Sequence, residues 1–321
     1  MTQEMRRASE LLRLSRMALI LIFCTKGNLP MSFREISRRT SRRGCAFSGL
    51  VLAAATMLGL VGRVAAAAAD VELWRLDCGE FLDLDRSLAS DVFAYERGKW
   101  SPTNSCYLIR HEQEYMLWDT GLSLTASWED SIGWKTAKGE PLVAQLSRIQ
   151  IKPEQISIIG ISHCHADHMG QAIQFPQARL LMGKADFDMV VSQKSVPVKV
   201  KLYDMSPWLA EGAKVEPIEG DKDVFGDGSV EMLSTPGHTL GHHSLLVRLP
   251  KSGPIILSGD LWSMADQISI NNMSVFTMNR AEALASMDRV LKIASNLKAK
   301  IIIQHEKADV PKLPQFPSSA R

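Results

Sequence analysis

Histidine is scarce in this chain, with eight among 321 residues. Cysteine is scarcer, and only Cys78, Cys106 and Cys164 follow residue 69. Three cysteines leave at least one thiol unpaired, which excludes a small fold held together by disulfides alone. Cys78 and Cys106 sit on predicted neighbouring strands; they either pair in an oxidising compartment or stay as two buried free thiols. No internal repeat, low-complexity linker or Pro/Gly break divides the body of the chain, so nothing marks a boundary between two domains. A basic stripe is also missing. The formal net charge of +2 is concentrated misleadingly: residues 1–69 hold 11 of the 37 Lys+Arg and 3 of the 35 Asp+Glu, leaving 26 against 32, or −6. A mildly acidic body argues against nucleic acid as a partner.

What the first 69 residues contain is an export pattern. The basic stretch SRRTSRRG (37–44) precedes the apolar run AFSGLVLAAATMLGLVG (46–62), and VAAAAAD follows. Basic, apolar, small-residue is the order of a secretory signal, with the expected cut between Ala69 and Asp70. The competing reading is an uncleaved anchor, but the run is short for a span of about 20 residues and rich in alanine and glycine. Cleavage leaves no stable membrane span and sends the protein to the periplasm or outside. Ser41-Arg42-Arg43 leaves the general secretory and twin-arginine routes both open. Met31 offers an alternative start, which would make residues 1–30 a mis-assigned beginning.

The body, 70–321, reads as strand-rich. VELWRL (71–76), SCYLIR (105–110) and EYMLWD (114–119) have strand composition, and the last two flank a hairpin tip at His111-Glu112-Gln113, where His111 is expected to be solvated. ISIIGIS (156–162) reads as a buried strand and RLLMG (179–183) as another. KVEPI, VEMLS, HSLLVRL, PIILSG and KIIIQ repeat the theme downstream. Residues 120–150 look loose. The clearest helix runs from Asn279 to Leu297, capped by Asn279 with Glu282 as returning partner. Strand-rich halves with helices outside predict one layered α/β domain, helices covering two packed sheets.

The scarce histidines then gather. ISHCHADHMG (161–170) holds His163, His165 and His168 with Asp167 among them. In an extended segment alternate side chains share a side, so His163 and His165 can face one atom, with Cys164 turned away as a spacer. Asp167 and His168 follow a turn later, where Gly170 lets the chain bend. Two adjacent ligand pairs suit two metal ions. Further ligand types stand at other predicted strand ends: His238 after VEMLS, Asp260 after PIIL and His305 after KIII. Sites in α/β sheets gather outside the carboxyl ends of strands. Taken singly, His238 reads as a turn residue and Asp260 as a helix cap; their joint placement points to a metal centre.

HCHADH, TPGHTLGHH (235–243), SGD (258–260), His305 and the hairpin ending WDTG (118–121) together resemble the metallo-β-lactamase superfamily, over essentially all of 70–321. The flanks LWRLDCG, YMLWDTGL and LSTPGHTLGHHSLL are most similar to its N-acyl homoserine lactonase branch, the quorum-quenching lactonases. The resemblance implies an αββα sandwich of two mixed β-sheets flanked by helices, holding two divalent metal ions, usually zinc. It implies one ion on His163, His165 and His238, the other on Asp167, His168 and His305, and Asp260 bridging. It further implies hydrolysis of a lactone by a hydroxide between the ions, with Asp167 and Asp260 catalytic and Asp167 relaying a proton to the leaving alkoxide. Mixed His/Asp ligands also accept iron, manganese or cobalt.

Asp119 and His242 are expected behind the ligands, Asp119 as acceptor for a ligating histidine or else as a plain turn former, His242 as a brace of its loop. Where the lactonase branch often carries a tyrosine, three residues after the bridging aspartate, this chain has Ser263. Ser263 and Trp262 are candidates for the substrate pocket, with Trp128, Trp134, Trp208, Met264 and Phe276 as further candidate walls. The partner implied is a small lactone or ester, and a homodimer is compatible with the sequence. Other esters, thioesters or β-lactams are the alternative substrates, and a non-catalytic metal-binding module is the alternative from another class. Only 16 residues follow His305, too few for the helical region of a glyoxalase-II-like thioesterase.

Overall fold

A computed structural model describes residues 69–193 and 202–321. The expected export signal and the alternative start at Met31 lie outside the described residues. Among the described residues no helix is long and apolar enough to cross a membrane.

Fourteen strands lie among the described residues: β1 (Val71–Leu82), β2 (Leu84–Asp85), β3 (Lys99–Trp100), β4 (Thr103–His111), β5 (Glu114–Trp118), β6 (Lys135–Ala137), β7 (Ile156–Ile161), β8 (Arg179–Gly183), β9 (Val215–Ile218), β10 (Lys222–Asp223), β11 (Val230–Ser234), β12 (His243–Leu249), β13 (Gly253–Leu257) and β14 (Lys300–Ile302). One sheet has the order β6-β1-β4-β5-β7-β8-β9 and the second β10-β11-β12-β13-β14, with β2-β3 a small ribbon. Both large sheets are mixed. In the first, β5, β7, β8 and β9 run parallel and the rest antiparallel; in the second only β13-β14 is parallel.

The layering follows from the period of two along each strand. On β4, Tyr107 and Ile109 face the second sheet while Leu108 faces helices; on β12, Leu245 and Val247 face inward and Leu246 outward. Between the sheets pack Leu73, Met116, Trp118 and Ile158 against Met232, Leu257 and Ile302. Helices Leu142–Arg148 and Lys184–Gln193 cover the outer face of the first sheet through Leu142, Leu146 and Val190. Helix Arg280–Leu297 covers the second through Ala283, Met287, Val290 and Ala294. Both faces of each sheet are therefore buried, which is why the strands read as continuous apolar runs. The expected αββα sandwich is what forms.

Several local expectations change. Residues 120–150, read as loose, contain the helices Trp128–Ile132 and Leu142–Arg148; both are too short for their period to stand out. Asn279 caps its helix, its side chain accepting from the amides of Ala281 and Glu282. Its own amide does not await Glu282: it donates to Gly237 O at 2.9 Å, tying the helix start to the loop that carries His238. His111 is half-buried rather than free in solvent. Its ring stacks on Phe225 with centroids 4.1 Å apart, and Nε2 lies 2.8 Å from Asp227 Oδ2. Cys78 and Cys106 form a disulfide, and Cys164 is the free thiol.

The final residues strap the start of β1. Leu73 and Ala320 exchange backbone hydrogen bonds, and the Glu72 carboxylate accepts from Ser319, from Arg321 at 3.0 Å and from Arg110 at 2.8 Å. Burial opposes the charge on Glu72, but the bonds from Arg321, Ser319 and Arg110 outweigh it and lower its pKa from 4.5 to about 2. A depressed carboxyl stabilises the fold above its unfolded pKa and loses that contribution as pH falls toward the folded value. The stability of the native chain over Glu72→Gln is thus expected to be full above about pH 5 and to vanish between there and about pH 2. Urea midpoints measured across that range test this; a difference that does not change with pH refutes it.

Candidate metal centre

Five strand ends and one turn meet at one rim. The parallel strands β5, β7 and β8 and the pair β13-β14 all deliver their carboxyl ends there. β7 ends at Ile161 and hands the chain to His163 and His165. The short helix Ala166–Met169 carries Asp167 and His168, both buried. Gly170, expected to supply a bend, has an ordinary right-handed backbone, φ −64°. Its role is clearance: a Cβ there would lie 2.2 Å from Ser123 N and 2.5 Å from Gly121 O. Gly259 needs both clearance and freedom, at φ +55° with His242 Nε2 2.6 Å from where a Cβ would stand.

The rings form two groups. His165 Nδ1 lies 3.0 Å from His163 Nε2 and 2.9 Å from His238 Nε2. Asp260 Oδ2 faces this tripod, 3.7 Å from His163 Nε2 and 3.4 Å from His238 Nε2. Its other oxygen, Oδ1, faces the second group, 3.3 Å from His168 Nε2 and 3.1 Å from His305 Nε2. Asp167 Oδ2 completes that group at 3.5 Å from each of the same two nitrogens. His163, His165, His238 and Asp260 have one ligand atom each within 4.8 Å of one another, and so do Asp167, His168 and His305.

This donor set fits cations. His168 Nε2 and Asp260 Oδ1 are buried and aimed into the centre with no hydrogen-bond partner. Buried polar atoms are ordinarily satisfied, and leaving one bare costs about 1–3 kcal/mol. His165 Nδ1 faces two ring nitrogens at about 3 Å and one proton cannot serve both well, whereas such spacing suits metal–nitrogen bonds of about 2.0–2.1 Å. Burial holds His163 and His238 well below the ordinary histidine pKa, and His165 below it too, so their lone pairs are available at neutral pH. Burial also opposes charge on His168 and His305, but there Asp260 and Asp167 prevail and raise both. Asp260 is held well below the carboxylate range: burial works against ionisation, and the surrounding His305, His168 and His163 overcome it.

Behind the rings stands a second layer. Asp119 is fully buried with a left-handed backbone, φ +58°. Its Oδ1 accepts from Ser162 N–H at 2.7 Å; its Oδ2 accepts from Ser162 Oγ at 2.8 Å, His168 Nδ1 at 3.0 Å and Gln304 Nε2 at 2.9 Å. Since the Ser162 hydroxyl gives its proton to Asp119, it accepts from His163 Nδ1 at 3.0 Å. One carboxylate therefore fixes the tautomer of a ring in each group. His305 Nδ1 donates to Thr103 O at 2.9 Å. His242 does more than brace its loop: Nε2 accepts the Asp260 amide at 3.0 Å, with Nδ1 on Thr235 O. Burial pushes it down to about 3, so it is neutral and its Nε2 is committed away from any ion.

Of the expected pocket residues, Trp262 is a correction. It is 1% exposed and packs with Leu233, Leu246 and Met273 in the core under helix Arg280–Leu297; bulk and apolarity place it inside. Trp208 is core as well, its indole donating to Ala178 O. Ser263 is buried, with its amide held by Gln267 Oε1 at 2.6 Å. Trp128 and Trp134 do gather around Phe81, with Ala166 packed against them and Phe276 edge-on to Trp134, neighbouring centroids being 5.0–6.3 Å apart. Cys164 turns from the centre, its Sγ 3.5 Å from Met189 Sδ. Ser162, Gln304 and Asp186 were not singled out from the sequence as partners of the ligands; Ser162 and Gln304 each precede a ligand directly, which is the signal that was there.

The sequence profile of the Metallo-beta-lactamase superfamily matches residues 102–305. An N-acyl homoserine lactonase, AttM, of Azorhizobium caulinodans is 23% identical over 236 residues, covering 66% of this chain and 84% of its own length. A crystal structure of an N-acyl homoserine lactone hydrolase with N-hexanoyl-L-homoserine at its catalytic metal centre superposes with a TM-score of 0.65 at 23% identity, covering 77% of this chain and 98% of that one. AidC, a dizinc quorum-quenching lactonase, superposes at 0.58 with 17% identity, over 78% and 90%. With its profile match spanning the whole ligand-bearing region, the chain belongs to the metallo-β-lactamase superfamily of metal-dependent hydrolases.

Proposed function

We propose that this protein binds two divalent cations, zinc by preference, and opens the ring of N-acyl homoserine lactones. The carrying observation is the division of Asp260, one oxygen toward the His163–His165–His238 tripod and the other toward His168 and His305. A carboxylate so placed suits two ions side by side and offsets their repulsion. Bound there, such ions lower the pKa of a water to about 7 and polarise a carbonyl. The protein's own groups supply the rest. His163, His165 and His238 hold one ion, Asp167, His168 and His305 the other, and Asp119 holds His163 and His168 in the tautomer that offers Nε2. Asp167 keeps one oxygen for a proton, taken from the attacking water and returned to the alkoxide as the ring C–O bond breaks. The half-buried Trp134 and Phe276, backed by the buried Phe81 and Trp128, offer apolar surface for an acyl chain.

The lactonase relatives support this substrate over others. Metal content of the full chain, measured after supplementation, is expected at two ions per chain, with proton release on adding N-hexanoyl-L-homoserine lactone. Fewer than two ions, or no turnover with metal present, overturns the reading. Faster turnover of a thioester or β-lactam keeps the hydrolase and replaces the substrate.

A further inference from the structure

Three of the five candidate ligand rings are held from behind: His163 by Ser162, His168 by Asp119 and His305 by Thr103. His165 and His238 are not. His238 Nδ1 is buried without a partner, and among the described residues His165 Nε2 has no hydrogen bond. A ligating histidine ordinarily has its other nitrogen held by a carboxylate or carbonyl, which sets the ring's orientation. Something else must set the 2.9 Å approach of these two rings.

The loops that carry them meet on one buried carboxylate. Asp186, fully buried, stands in the first turn of helix Lys184–Gln193, just after β8. Its Oδ2 accepts from the amide of Cys164 at 3.0 Å and from Thr239 Oγ1 at 2.5 Å; its Oδ1 accepts from the amide of Gly241 at 2.7 Å. Cys164 lies between His163 and His165, and Thr239 follows His238. The closeness is structural on both sides: a Cβ on Gly241 would stand 2.6 Å from Asp186 N and 2.9 Å from its Cβ.

We infer that Asp186 is a positioning residue for the tripod alone, holding the backbone of the His165 and His238 loops at the separation one ion requires. Asp119 does the corresponding work chiefly for the other group. The inference rests on the two-ion reading above. Its action is through the backbone, and it touches neither substrate nor ion.

The test loads the full chain with cadmium and reads the two sites separately, by ¹¹³Cd resonances and by competition with a chromogenic chelator. The variants are Asp186→Asn, which turns an acceptor into a donor facing an amide, and Thr239→Val, which removes one bond of the clamp with little change of shape. Glu72→Gln, far from the rim, controls for lowered stability. Asp186→Asn is expected to weaken the nitrogen-rich site about 10–100-fold and to leave the other within about threefold. Thr239→Val is expected to do the same more weakly, and it decides the matter if Asp186→Asn does not fold. Equal weakening of both sites, or of neither, overturns the inference and leaves the two-ion reading standing. A native chain that takes up fewer than two cadmium ions overturns both.

Discussion

Asp260→Ala is expected to cost both ions at once. Metal-binding free energies of about 10–16 kcal/mol over four ligands put about 3 kcal/mol on each ligand, which is about 100-fold in affinity. Because Oδ1 and Oδ2 face different groups, that loss falls on each site rather than on one. The carboxylate also opposes the mutual repulsion of two cations, and its removal adds to the penalty. At metal concentrations sufficient for the native protein, turnover should fall by about two orders of magnitude or more, and excess metal should restore part of it. Elemental analysis after gel filtration, with rates at several metal concentrations, reads both. A variant that keeps two ions through filtration and turns over normally would show that Asp260 does not bridge.

Asp119→Ala has the largest expected effect on the fold itself. It strands four buried donors: the amide and hydroxyl of Ser162, His168 Nδ1 and Gln304 Nε2. Each unsatisfied group costs about 1–3 kcal/mol, and removal of one partner from a buried charged network typically costs about 3–5 kcal/mol in all. At roughly 2–4 °C per kcal/mol for a domain of this size, the metal-free protein should melt roughly 6–20 °C lower. Asp119→Asn is expected to be gentler on the backbone, since asparagine tolerates the left-handed conformation. It should still release His168 from its tautomer, because an amide nitrogen now meets donors. Scanning calorimetry of both variants separates these outcomes. An alanine variant melting within about 2 °C of the native protein would mean the network is dispensable.

The sequence displayed the centre more fully than its surroundings. ISIIGIS ends at the rim because a strand buried on both faces must surface somewhere, and the histidines mark where. The wider resemblance then assigned seven ligands, and the two groups of the fold contain those seven. The second layer was less legible. Asp119 reaches Ser162 across 43 residues, and Asp186 reaches Gly241 across 55; such partners depend on which strands become neighbours, which no local pattern encodes. Trp262 misled for a different reason: adjacency to Asp260 in sequence said nothing about which way the chain turns, and a large indole took the core. His111 looked solvated because its tip position is local, whereas Phe225 and Asp227 come from the opposite sheet.

The spread of the ligands also has a consequence in time. They run from His163 to His305 and draw on both sheets, with Asp260 and His305 supplied by the second and the histidine motif by the first. No contiguous fragment presents a complete set, so neither group is whole until the two sheets have closed on each other. Closure of long chain segments is the slow part of assembling a β-rich fold. Completion of either ligand group is then a late step of folding, and a chain that has not closed its sheets offers only the part of each group that lies in the histidine motif.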